Sequence, residues 1–406
     1  MERKLQNNII KIYLMVFCQS AMPIAAVFVP LLQGHGLSMT EIMYTQALFA
    51  LTIVLSEVPG GYLADLWGRK NTLICGAALS AAAFGMLLRA DDFADFLLYE
   101  CLLGIGISLS SGVDLAIFYD TQSYLERTGV RPSGGKPLAR LFSIDGLAGA
   151  FGALSASVLL VWSLESVVVA QVLFGLLPLV CAITLVEPPR EVSIFGHREN
   201  VSRIRDAIIK EPLVLITAIA MIVFGLAAIY AFWLYQKYWE VHGVPLAYFG
   251  YLWAAHCAIR GIAAHFAHEF ENSLGPCNAL ILVSALSIAG FVGMALAGGW
   301  FGVCLALLLP LSRGISAVIF SDALNRRISA EFRATLNSLV SLGFRAVFIV
   351  TAPLLGWLVD RHGVDAGIWV LVAVFTPAYA LVLLALFGVL RKTSPVQSEV
   401  IPAVNA

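Results

Sequence analysis

Ionisable side chains lie deep inside long apolar runs, and their sign changes along the chain. Arg260, Arg313 and Arg345 fall near the middle of three runs in the second half. Glu57, Asp114 and Asp145 fall in the first half, each about six residues, or roughly 9 Å, from mid-run. Glu100 lies near the start of its run, its outer end. An arginine at that depth in a bilayer costs about 2.5–3.5 kcal/mol on insertion scales. A guanidinium presents a planar fork that grips carboxylate or phosphate. Three of them, with no acid at the same depth in their own half, would make an anion site. The alternative is that they pair with Asp114, Asp145 or backbone carbonyls and hold the two halves together. Glu57, Asp114 and Asp145 are titratable and partly desolvated, which suits the pickup and release of a proton. Gln19, Gln46 and Tyr230 are placed to complete a substrate site, with Tyr44, Trp233, Trp253 and His256 nearby.

Other chemistry is poorly represented. His265-Phe266-Ala267-His268-Glu269 sets two imidazoles three residues apart, but it is not the H-E-x-x-H zinc pattern. No G-x-S-x-G, nucleotide-binding glycine loop or calcium loop is present. An enzyme, a cofactor or a metal centre is therefore not expected. The seven cysteines follow no disulfide framework, and most lie within apolar runs, where a thiol behaves as a small hydrophobe. A net charge of -1 argues against a nucleic-acid partner.

These residues must be positioned by membrane helices. The chain is 60% hydrophobic and 13% charged, with a mean hydropathy of +0.87. Soluble domains carry roughly 25% charged residues. About twelve runs have the length of a spanning helix: roughly 10–32, 42–63, 71–89, 97–119, 139–161, 166–187, 212–235, 247–268, 276–297, 301–322, 335–358 and 366–390. The fold class expected is an all-α polytopic membrane protein of two six-helix bundles. Most of the 25 cations lie at the termini and in the loops after even-numbered spans. The opposite loops hold only Arg89, Lys237 and Arg361, so both termini are expected in the cytoplasm.

One short stretch is more specific than the composition. Gly61-Tyr62-Leu63-Ala64-Asp65-Leu66-Trp67-Gly68-Arg69-Lys70 reads G-x-x-x-D-x-x-G-R-K and joins the second run to the third. A glycine permits close helix approach. Asp65 is placed for a neighbouring helix dipole, and Arg69 for an acid at a helix end, with Asp120 the best candidate. The stretch resembles the loop 2–3 signature of the major facilitator superfamily at every defined position. The resemblance implies two six-helix halves around a central path, with Gly61, Asp65, Gly68, Arg69, Lys70 and Asp120 latching the halves on the cytoplasmic side. It also implies that spans 3, 6, 9 and 12 face lipid, and these carry no charge away from their ends.

Internal repetition agrees with two halves. Gly112, Ile117-Phe118 and Asp120 recur in register as Gly314, Ile319-Phe320 and Asp322, and Gly61-x-x-x-Asp65 falls on Gly261-x-x-x-His265. A rival match, Gly356-x-x-x-Asp360-x-x-Gly363, lies on the far side by this topology and reads as coincidence. Residues 1–187 and 212–406 are the expected bundles, with 188–211 as a cytoplasmic linker whose 201–210 segment could form an amphipathic helix. The function expected is proton-coupled secondary transport by alternating access, with a small organic anion or zwitterion as substrate. The partners expected are that substrate, protons and the bilayer of an inner membrane, with the protein a monomer. A drug/proton antiporter is the first alternative. Span 5 carries glycines but lacks the Gly-Pro that such exporters of the resembling family usually carry, which weakens this alternative without excluding it. A transporter-like membrane sensor is the alternative of another class.

Overall fold

A computed structural model describes residues 2–128, 137–188, 211–328 and 333–393. Among these there is no β-strand, and the helices group into twelve spans. Among the same residues, nine helical stretches are individually long and apolar enough to cross a membrane. The spans run over 2–34, 39–67, 69–86, 93–127, 137–159, 164–184, 212–241, 249–274, 276–296, 299–326, 333–362 and 364–393. Each expected apolar run overlaps one of them, and the runs 71–89, 139–161, 166–187, 247–268 and 276–297 overrun their helix by one to three residues. The expected linker 188–211, with its amphipathic segment, lies outside the described residues except at its two ends.

Two breaks in the N-terminal half have local causes. Span 1 runs from Glu2 to Ser20, continues as a 3-10 turn over Pro23–Ala26, and resumes as Phe28–Gly34. Met22 is extended at φ -107°, ψ 90°, because a residue before proline is pushed out of the helical region. Span 4 is interrupted between Ser110 and Val113, where Gly112 takes φ +78°, a left-handed value that suits glycine. Span 10 is likewise divided at Leu307, and span 8 at Phe266.

The two halves meet along two antiparallel helix pairs, span 2 with span 11 and span 5 with span 8. The seal is at the face remote from the termini, here called the distal face. The Gln236 amide of span 7 donates to the Ala25 carbonyl and accepts from the Val29 N–H, each at 2.9 Å. Lys237 donates to Gln33 at 3.2 Å. The Tyr251 N–H donates to the Ser157 hydroxyl at 3.0 Å, joining span 8 to span 5. A methyl group at Gly250 would stand 2.2 Å from the Ala153 carbonyl oxygen, so the two backbones nearly touch.

The face that carries the termini is open. On span 2, Met39, Ile42, Met43, Thr45, Gln46, Ala47, Ala50 and Ile53 are buried, but beyond Ile53 only Gly60 and Ala64 are. Val58 is 80% exposed and Tyr62 65%. The contact between the halves therefore ends about midway down span 2.

Candidate functional site

Spans 7, 8, 10 and 11 enclose a cavity of about 590 Å³. Arg260 of span 8 and Arg313 of span 10 both line it, close enough for Arg313 to feel the charge of Arg260. A glycine brings them together. A methyl group at Gly314 would lie 2.4 Å from the Arg260 carbonyl oxygen and 2.7 Å from the Ala263 Cβ. Only a bare backbone at Gly314 allows span 10 to lie so close to span 8. The adjacent Arg313 side chain then shares one cavity with Arg260.

Among the described residues, no acid lines this cavity, although Asp145 of span 5 and Arg260 both act electrostatically on Cys257. The ion pairs of the C-terminal half there are Lys237–Glu240, His242–Asp365 and Arg326–Asp322. None reaches Arg260 or Arg313. The cavity wall adds polar groups, Ser321, Asn337 and Ser341, and an aromatic row. In that row the Trp253 ring stacks on His256 at 4.7 Å and meets Phe232 edge-on at 4.8 Å. The site is thus cationic, apolar along one side, and supplied with neutral donors.

The remaining sequence candidates do not all gather here. Arg345 is absent from the cavity wall and instead interacts electrostatically with Glu57 of span 2. All three arginines fall near mid-run in the sequence, but only Arg260 and Arg313 line this cavity. Tyr230 is buried; its hydroxyl is hydrogen-bonded to Thr351 and its ring stacks on Phe348. Gln46 is buried and donates to the carboxylate of Glu100, tying span 2 to span 4. Gln19 lines a different cavity of about 300 Å³ within the N-terminal bundle, and Asp114 lines the same one. The Leu115 N–H donates to Asp114 at 2.7 Å. Asp145 is exposed and accepts from the Ser20 hydroxyl.

The hairpin after span 2 has a built structure. Gly68 takes φ +88°, and Arg69 pairs with Asp120. The expected close helix contact belongs to Gly60 rather than Gly61. A methyl group at Gly60 would meet the Leu109 side chain at 3.3 Å, while nothing lies within 4 Å of one at Gly61. The two glycines occupy different faces of the helix, and only the Gly60 face packs on span 4. Sequence reasoning also missed Glu187. Its carboxylate accepts from the Arg69 N–H at 2.9 Å and lies 3.0 Å from where a Gly68 methyl would stand. The available signal was an acid at the end of span 6, beside the first turn of span 3. Gly356 and Asp360, which read as coincidence in the sequence, are also in use. Asp360 accepts from the backbone at the start of span 2.

Solved structures share this architecture. The nucleoside transporter NupG, in a D323A mutant, superposes with a TM-score of 0.74 at 13% identity, covering 95% of this chain and 99% of that one. A bacterial homologue of the human lysosomal transporter Spinster, in an inward-facing and unoccupied conformation, gives 0.71 at 15% identity, covering 97% and 99%. At such identities the likeness shows the fold alone. No curated protein matches the sequence. The family model for the Major Facilitator Superfamily matches residues 11–345. A multi-pass transporter architecture and a family match across most of its length give one conclusion: the chain belongs to the major facilitator superfamily.

Proposed function

We propose that this protein is a secondary active carrier that moves a small organic anion, or a zwitterion through its anionic end, by alternating access. Arg260 and Arg313, side by side in one cavity without an acid, carry the reading. Two guanidiniums sharing a cavity at membrane depth repel each other. An anion held between them relieves that repulsion, and each bond it accepts is charge-assisted. A lipophilic cation would worsen the imbalance, which disfavours the antiporter reading. A neutral nucleoside, the kind of cargo named for the nucleoside transporter NupG, would leave the charges unbalanced.

Further parts of the reading follow from charge placement. With both termini in the cytoplasm of an inner membrane, the open face is cytoplasmic and the state inward-facing. Residues 1–187 and 212–406 act as two rocking bundles joined by 188–211, and the protein works as a monomer. Asp114 or Asp145 carries a coupling proton, with Glu57 as a third candidate. The test is binding and transport by purified protein, in detergent and in proteoliposomes. Benzoate, succinate and phosphoenolpyruvate would be compared with tetraphenylphosphonium and uridine. We expect thermal stabilisation and counterflow with an anion, and no response to the cation. Stabilisation by tetraphenylphosphonium alone would overturn the reading.

A further inference from the structure

Gly356, Asp360 and Gly363 repeat the spacing of Gly61, Asp65 and Gly68. The final glycine is left-handed in both, φ +87° at Gly363 and +88° at Gly68. Each motif ends a helix of the same antiparallel pair, span 2 in one case and span 11 in the other.

At the distal face the contact is made. The two carboxylate oxygens of Asp360 accept from the Met39 N–H at 2.9 Å and the Thr40 N–H at 2.8 Å, and the Thr40 hydroxyl also donates to this carboxylate. These are the first N–H groups of the helix Met39–Trp67, where unpaired donors and the dipole favour an anion. A methyl group at Gly356 would lie 2.6 Å from the Met39 carbonyl oxygen and 2.8 Å from the Thr40 Cα. The helix does not need Asp360 in order to start. Ser38 and Glu41 already form a capping box, with Glu41 N–H to Ser38 Oγ at 3.2 Å and Ser38 N–H to Glu41 at 2.8 Å. The Asp360 bonds therefore join the halves rather than initiate the helix.

We infer that Gly356-x-x-x-Asp360-x-x-Gly363 is a latch at the distal face. It holds the halves shut in the state seen here and releases when the hairpin around Gly61 and Asp65 engages at the opposite face. This inference rests on the alternating-access reading. Here the end of span 11 sits on the start of span 2. Rocking the bundles would bring the end of span 2 toward the start of span 11, a helix that begins at Arg333. The face of Gly61 is open in this state, with room for such a partner. Asp360 is a positioning residue, since it acts on the balance of states and touches no substrate.

The test measures distal opening directly. Val29 is fully buried in the distal seal. Val29→Cys in the full-length protein, in nanodiscs, would be labelled by a maleimide, with labelling of the parent protein subtracted. Asp360→Asn should raise the labelling rate about tenfold, the scale of a lost charge-assisted bond to a helix start. Thr40→Val, which removes one hydroxyl donor and keeps the backbone bonds, should raise it about two- to threefold. Asp65→Asn should lower it, and the double variant Asp65→Asn with Asp360→Asn should return toward the parental rate. General loosening would move both single variants upward. Parental labelling in both Asp360→Asn and Thr40→Val, or a common direction for Asp65→Asn and Asp360→Asn, overturns the latch. A Val29→Cys protein that is never labelled, with or without anion, instead overturns alternating access itself.

Discussion

The two ends of the span 2–span 11 interface use the same glycine and acid spacing and look opposite. At the distal end Gly356 is pressed against the span 2 backbone and Asp360 holds two of its N–H groups. At the end near the termini Gly61 faces open space, and span 2 is exposed around it. Under the latch proposal, equal motifs in unequal surroundings mean that the conformation selects which glycine is pressed against the opposite helix. Span 5 and span 8 follow the same gradient. Gly250 is wedged against Ala153 at the distal end, whereas Gly261 has nothing within 4 Å.

The largest expected effect comes from blocking one end only. Gly250→Val should prevent distal closure and cut transport by about 100-fold, the scale of forcing extra carbons into a packed contact. Gly61→Val should leave the distal seal intact and the protein well folded, yet lose transport by trapping the present state. Proteoliposome uptake combined with Val29→Cys labelling separates the two. Equal labelling in both variants would break the comparison.

Charge fork geometry should give the next effect. Arg260→Lys and Arg313→Lys should each weaken anion binding about tenfold, because ammonium cannot reproduce the fork. Arg345→Lys should change it less than about twofold, since Arg345 lies outside the cavity. Titration of each variant, alongside its melting temperature, checks this. Three equal losses would place Arg345 in the site after all.

Coupling is a smaller change in rate and a clear change in kind. Asp114→Asn or Asp145→Asn should abolish accumulation driven by a pH gradient while substrate exchange continues. If both variants still accumulate substrate, no proton rides on either residue. The smallest effect expected is on stability. Gln46→Leu removes the side-chain partner of buried Glu100 and should cost about 1–3 kcal/mol. Differential scanning fluorimetry would read this as a melting point lowered by several degrees.

The twelve spans were legible because a bilayer demands long apolar runs whatever surrounds them. The arginine pair was legible in depth but not in direction. Counting residues places Arg260, Arg313 and Arg345 near one level, whereas the close approach at Gly314 decides which two meet. Gly356-x-x-x-Asp360 was visible as a pattern and misread, because the loop signature was tied to one side of the membrane. The contact at the distal end shows that a glycine and an acid can also serve a helix start on that side. The breaks had signals in Pro23 and Gly112, which an apolar-run reading does not weigh. Glu187 was hidden because it acts on span 3 across a long stretch of chain.

The interrupted first span has a consequence for how the distal face can open. Its Ala25 carbonyl and Val29 N–H are both satisfied by one side-chain amide, Gln236, borrowed from the opposite half. When the halves part, that amide leaves, and two backbone groups at membrane depth lose their partners together. Hydrocarbon cannot replace them, so water must enter as they separate. Distal opening is therefore a wetting event as much as a rotation. An osmolyte that lowers water activity should slow it without touching the arginine cavity.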